Sequence, residues 1–152
     1  MKNTLNAVWE SFLGPMMQRP KRLQMAALCH RGEGADREFL LVTSRDTARW
    51  IIPKGWPIRG LNSRETALRE AWEEAGVKSR KITDRPVGSY TYQKRQTGGM
   101  EVPVETQVYS VAVDEVLAEF PEAHERKRKW VDAETAAELV NETELKAIFR
   151  NQ

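Results

Sequence analysis

No disulfide can close within this chain. Its 152 residues include a single cysteine, Cys29, so neither an internal bridge nor a multi-cysteine zinc site can form. A lone thiol fits a reducing compartment, and a cytoplasmic location is expected. The 2 histidines, His30 and His124, have no partner at metal-ligand spacing. Long apolar runs are missing as well: no stretch approaches the roughly 18 residues of a membrane-spanning helix, so no membrane partner is expected. The opening MKNTLNAVWESFLGPMMQRPKR has neither a long apolar run nor a small-residue cleavage site, and it does not read as a signal peptide. No internal repeat or low-complexity segment is present. Nor is one sign of charge in excess: 24 Lys and Arg against 22 Asp and Glu leave a formal net charge of +2. No global field dictates a partner. Local clusters must carry that argument.

What is present suits one globular domain: 40% hydrophobic and 30% charged residues are enough for a core and too apolar for a disordered chain. Residues 1–21 read as an N-terminal extension, with a short helix over 4–13 ending at Gly14-Pro15. Residues 22–152 read as the domain. MAALCH (25–30) and EFLLVTS (38–44) predict paired strands, RWIIP (49–53) a short extended run, and 54–61 a Gly- and Pro-rich loop. PVGSYTYQKR (86–95) and VPVETQVYSVAV (102–113) predict a long hairpin turning at Gly98-Gly99. DEVLAEF (114–120) is ambiguous. KRKWVD (127–132) reads as a strand, and residues 133–149 as one amphipathic helix. Interleaved strands and helices with antiparallel hairpins predict an α+β fold, a mixed sheet sandwiched between helices.

The segment SRETALREAWEEAGV carries the chemistry. Asn62 is a good N-cap, Glu65 completes a capping box, and Gly76 fits the position after the last turn. Between them Ala67, Leu68, Ala71, Trp72 and Ala75 form an apolar stripe at helical spacing. With Glu70 at zero, Glu74 falls at about 40° and Glu73 at about −60°, so all three carboxylates share one arc beside the buried stripe. Like charges so placed repel, at about 0.2–0.5 kcal/mol per pair four apart. A solvated acidic face is one explanation. A divalent cation with oxygen ligands is the other.

The wider spacing favours the second. Gly55, Arg69-Glu70, Glu73-Glu74 and Gly76-Val77 fall on the frame G-x5-E-x7-R-E-U-x-E-E-x-G-U, where U is a bulky aliphatic. This resembles the Nudix box. Two positions depart from it: Leu61 stands where the box has its first glutamate, and Ala71 where it has a bulky aliphatic. LLVTSRDTARWIIPKG, REAWEEAGV and ERKRKWVDAETAAELV are similar to the diphosphoinositol and diadenosine polyphosphate phosphohydrolase branch, over residues 22 to 149. The resemblance implies a Nudix-type α/β/α sandwich and a Mg²⁺-dependent hydrolase, with Mn²⁺ as a second metal. It implies phosphoanhydride cleavage in diphosphoinositol polyphosphates, diadenosine polyphosphates or related polyphosphorylated small molecules. By that resemblance Glu70, Glu73 and Glu74 bind metal. The first glutamate of the box mainly braces loop against helix, a task Glu65 can take over through the cap. Trp72 can help fill the space left at Ala71.

Glu73 is the expected base, with Arg69 one turn earlier to orient it. Lys54, Gly55, Arg49, Trp56, Lys94, Arg95, Arg126 and Arg128 are the expected substrate contacts. Arg126 and Arg128 reach one face if their run is a strand. Trp56, in a loop, is the best placed tryptophan to stack on a ring. Glu101, Glu105 and Glu122 are equal candidates for an outer metal ligand or a base. Three other readings stay open: a Nudix-like module that binds nucleotide or inositol polyphosphate without cutting it, an enzyme of RNA 5′ ends, or a nucleoside triphosphate pyrophosphatase. The weak net charge and the acidic helix argue against nucleic acid as the main partner. Monomer and homodimer are both compatible with the sequence.

Overall fold

The computed structural model describes residues 22–152; the extension 1–21, with its expected helix over 4–13, lies outside the described residues. Strand β1 (Arg22–Arg31) is the axis of the fold, with Gln24 to Cys29 buried throughout. A central strand covered on both faces needs an unbroken apolar run, and MAALC supplies it. Along its whole length β1 runs parallel to β8 (Glu101–Ala112), from Arg22 opposite Val104 to His30 opposite Ala112. Its other edge is shared. Strand β2 (Glu38–Thr43) pairs antiparallel at the His30 end, and β4 (Lys54–Gly55) at the Met25 end.

That sharing corrects the expected loop. Lys54 and Gly55 form a short strand because β2 leaves backbone groups at the Met25 end of β1 without partners, and such groups must be satisfied. Pro53 contributes too: its carbonyl accepts from the Ala27 N–H at 2.9 Å. Elsewhere β3 (Trp50–Ile51) and β10 (Arg128–Asp132) pair with β2. Strands β6 (Lys81–Ile82) and β7 (Gly88–Arg95) pair with β8, the latter through the expected hairpin. The ambiguous 114–120 segment begins with β9 (Glu115–Val116), which pairs with β5 (Val77–Lys78) as a separate ribbon.

Helices close both faces of the sheet, giving the expected sandwich. Helix α1 (Ser63–Ala75) sets Ala67, Ala71 and Ala75 against Met25, Ala27 and Cys29. On the other face α2 (Ala133–Leu139) and α3 (Thr143–Arg150) bring Ala136, Leu145 and Phe149 to Ala26, Leu28 and Phe39. Alternate residues of β1 thus feed two cores. The alanine stripe lets α1 lie close to the sheet, which draws its acidic edge toward β4. Trp72 does not fill the core as expected: it is half-buried, with the Lys78 ammonium 5.3 Å from its ring centre, while Ala71 is fully enclosed.

The single helix expected over 133–149 is two. Val140 is extended and buried, and α3 starts afresh at Thr143. The break lets both halves turn their apolar residues to one core. It also delivers the Glu142 carboxylate to Arg49 at 2.8 Å. Among the described residues no helix is long and apolar enough to cross a membrane.

Candidate active site

Local signals set the ends of α1. The Asn62 side chain accepts from the Glu65 N–H at 2.8 Å, and the Glu65 carboxylate accepts from the Asn62 N–H at 3.0 Å. Gly76 adopts the left-handed conformation (φ 69°) and donates to the Ala71 and Trp72 carbonyls. The preceding loop closes without a glutamate at position 61: the Leu61 N–H donates to the Ile58 carbonyl at 3.0 Å, and Gly60 turns at φ 87°. Glu65 therefore braces the helix start through the cap, as expected.

The three α1 carboxylates line one cleft of about 620 Å³, and each has a different environment. Glu74 is buried; one oxygen accepts from the Lys54 N–H at 3.0 Å and the other from the Arg126 guanidinium at 2.9 Å. Burial raises its pKa, while Arg126 and the Lys54 N–H pull it down. Glu70 lies against Gly55 so closely that a Cβ there would sit 2.3 Å from its carboxyl carbon. Burial, then the charges of Glu74, Glu73 and Glu122, push the Glu70 carboxyl up to about 8. The Glu73 side chain is 35% exposed and 4.0 Å from the Arg69 guanidinium, and the Glu73 carbonyl accepts from the Glu122 N–H at 3.0 Å.

Arg126 is the clamp of the site. Its side chain is only 4% exposed, between Glu74 and Glu122 at 2.9 Å each. It also donates to the Thr43 carbonyl at 2.9 Å, tying the end of β2 to α1. Glu122 joins the same cleft, and Arg45 reaches it at 3.4 Å. Of the three late glutamates that sequence could not separate, Glu122 is the one beside the helix carboxylates. Glu101 lines the neighbouring compartment.

That compartment, about 570 Å³, shares Lys54, Tyr92 and Lys94 with the first and adds Arg49 and Arg95. Strand β7 alternates, so Tyr90, Tyr92 and Lys94 point inward together. The Lys54 residue is partly exposed, with its ammonium deep in the cleft, 5.0 Å from the Tyr92 ring centre. Burial lowers its pKa to about 8, against the pull of Glu74 and Glu142 and with the push of Arg49 and Lys94. Trp56 stands at the rim of the first compartment, 39% exposed.

Arg128 is not brought in. Strand β10 starts at Arg128, so Arg126 and Lys127 precede it and do not follow its alternation. The Arg128 guanidinium donates to the Ala75 and Leu117 carbonyls at 2.9 and 2.8 Å and lies over Phe120. Arg45 and Tyr92 went unnoticed in the sequence. The period-two pattern of YTYQK was a usable signal for Tyr92, whereas nothing local marked Arg45.

Oxygen donors on one cleft wall suit a hard divalent cation, and the close seat of Glu70 on Gly55 shows space reserved for a carboxylate. Among the described residues no three such groups converge tightly enough to hold an ion as they stand. Glu74 is engaged by Arg126 and Lys54, so side chains must reorient for ligation.

Comparison with known proteins bears on the fold and the family. Human diphosphoinositol polyphosphate phosphohydrolase 2 is 33% identical over 121 residues, covering 76% of this chain and 60% of its own length. The chain therefore spans about 60% of the curated relatives it matches first. The crystal structure of a C. elegans Ap4A hydrolase superposes with TM-score 0.60 at 22% identity, covering 86% of this chain and 94% of that one. The NUDIX domain of Shewanella oneidensis NrtR, complexed with ADP ribose, superposes with TM-score 0.60 at 16% identity, covering 95% and 96%. The model of the NUDIX domain matches residues 20–151. The chain belongs to the NUDIX domain family.

Proposed function

We propose that this protein is a Mg²⁺-dependent hydrolase of phosphoanhydride bonds in polyphosphorylated small molecules, with Mn²⁺ as an alternative ion. Diphosphoinositol polyphosphates, diadenosine polyphosphates and related compounds are the substrate classes. The observation that carries the reading is a carboxylate wall and a cationic lobe meeting in one cleft at Lys54 and Tyr92. Glu70, Glu73 and Glu74 would hold the metal. A bound divalent ion polarises a phosphoryl oxygen, acidifies water and neutralises developing charge.

The chain's own groups do the rest. Lys54, Lys94, Arg49 and Arg95 hold phosphates, with Arg giving two-pronged and Lys point-charge contacts. Arg126 balances the Glu74 charge beside them until that carboxylate reorients to ligate. The Glu73 carboxylate, steadied by Arg69, accepts a proton from the attacking water. The water oxygen bonds to phosphorus, the bridging P–O bond breaks, and its electron pair leaves with the departing phosphate. Positioning and charge neutralisation supply most of the rate, as in other phosphoryl transfers. The single buried Cys29 is compatible with a cytoplasmic setting.

Phosphate release from diadenosine polyphosphates and inositol pyrophosphates, with Mg²⁺, Mn²⁺ or chelator, tests the reading. Metal-dependent turnover that Glu73→Gln and Glu74→Gln abolish is expected. Tight binding without turnover under any metal would show a binding module instead.

A further inference from the structure

Behind Arg49, which lines the cationic lobe, lies a carboxylate that phosphate binding alone does not call for. Glu142 occupies the N-cap position of α3, yet its side chain makes no capping hydrogen bond. The helix start therefore does not explain the residue. Its side chain is only 9% exposed, and Oε1 accepts from the Arg49 guanidinium at 2.8 Å. Oε2 is buried with no hydrogen-bond partner among the described residues. A buried carboxylate oxygen left unpaired costs stability, so the fold alone does not favour it.

The turn that delivers Arg49 gives a second observation. Ala48, directly before it, has φ 55° and is the one residue other than glycine in the left-handed region among the described residues. That conformation is strained for a residue with a Cβ. Its neighbours hold it there. The Ala48 N–H donates to the Ser44 carbonyl at 3.0 Å, and the Ser44 N–H donates to the Arg49 carbonyl at 2.8 Å. The Ser44 and Thr47 hydroxyls, 2.6 Å apart, close the same turn. Strain on the backbone side and an unpaired buried oxygen on the carboxylate side converge on one outcome, the place of the Arg49 guanidinium.

We propose that Glu142 is a positioning residue for phosphate binding: it fixes the Arg49 fork in the cationic lobe, so that a phosphate meets an ordered partner. A guanidinium is a fork of several N–H donors, and giving one to Glu142 leaves the others for a phosphate. A side chain ordered in advance loses less freedom when ligand arrives. This rests on the phosphate-holding role proposed above for Arg49, and it adds the residue that sets its place. The competing effect is repulsion, since a carboxylate near phosphates opposes them. The two effects have opposite signs, which makes them separable.

Glu142→Gln keeps an oxygen within reach of Arg49 and drops the charge. Glu142→Asp keeps the charge and shortens the reach by one methylene. The readout is equilibrium binding of inorganic tripolyphosphate to the full chain, in chelator and at low salt. Positioning predicts that Glu142→Asp weakens binding by about tenfold, while Glu142→Gln stays within about threefold of wild type. In an Arg49→Met background, Glu142→Asp changes affinity by no more than about twofold, because the group it acts through is gone. Unchanged binding in Glu142→Asp, binding tightened beyond about threefold in Glu142→Gln, or a tenfold loss that persists without Arg49 would overturn the proposal. So would an Arg49→Met protein that binds like wild type, or a wild type that does not bind tripolyphosphate. Urea unfolding checks that each variant is folded; Glu142→Gln is nearly isosteric and tests the sign of the effect even where the shorter variant unfolds. Failure of the hydrolase reading would appear separately, as no metal-dependent cleavage of any polyphosphate with these binding ratios intact.

Discussion

Gly55 offers a sharp handle on the site. It is not in a left-handed conformation, so alanine is acceptable to the backbone. The obstacle is Glu70: an added Cβ would lie 2.3 Å from its Cδ, 2.4 Å from Oε1 and 2.8 Å from Cγ. Ordinary contact begins near 3.4 Å, so the carboxylate must retreat by about 1 Å. The Glu70 side chain is flexible and half-buried, and the fold accommodates this cheaply: the change in unfolding free energy should stay within about 1 kcal/mol. Catalysis is less forgiving, because a displacement of about 1 Å at a reacting centre costs on the order of 100-fold in rate. Gly55→Ala should therefore unfold near the wild-type urea midpoint while kcat/KM falls by about two orders of magnitude. If the effect runs through Glu70 alone, adding Gly55→Ala to Glu70→Gln should cost little more. Wild-type turnover in Gly55→Ala would refute the reasoning, as would full additivity in the double variant.

Two further outcomes follow from burial and charge. Arg126→Met removes the cation between Glu74 and Glu122, which are mostly enclosed with it; denaturant unfolding should show a loss of about 3–5 kcal/mol, and a loss under about 1 kcal/mol would contradict the clamp. Glu70, raised from 4.5 to about 8, binds its proton more readily folded than unfolded, so its share of stability is lost as pH rises across that window. In chelator, Glu70→Gln should flatten the fall in stability between those pH values, and an unchanged slope would count against it. Lys54, lowered to about 8, acts outside that window: its penalty is relieved only as pH rises from there toward 10.5.

How much the sequence disclosed depends on the range of each interaction. The cap of α1 was legible because Asn62, Glu65 and Gly76 act within the helix they bound. The shared acidic arc followed from helical geometry alone. The Glu74–Arg126 pair was not legible, since its partners lie 52 positions apart and only the meeting of α1 with the end of β2 brings them together. The placement of Arg128 failed for a related reason: alternation was counted from a strand start that lies at Arg128 itself. Strand β4 was hidden because two residues carry no pattern, and their pairing is dictated by what β1 leaves free. The helix break at Val140 was hidden because the apolar spacing of 133–149 is helical on both sides of it.

The parallel pairing of β1 with β8 sets the order in which the site can come into being. Helix α1 has its nucleating signals within its own sequence, so its carboxylate face can form early, before any counter-charge is in place. One edge of strand β1 must wait for β8, which begins at Glu101, and Arg126 arrives later still. Such non-local pairing is slow and leaves a central strand unprotected in the meantime. In refolding, helical signal should therefore recover before the cleft does. Activity should return only with the step that seats β8, making it a reporter of the last event in folding rather than of helix formation.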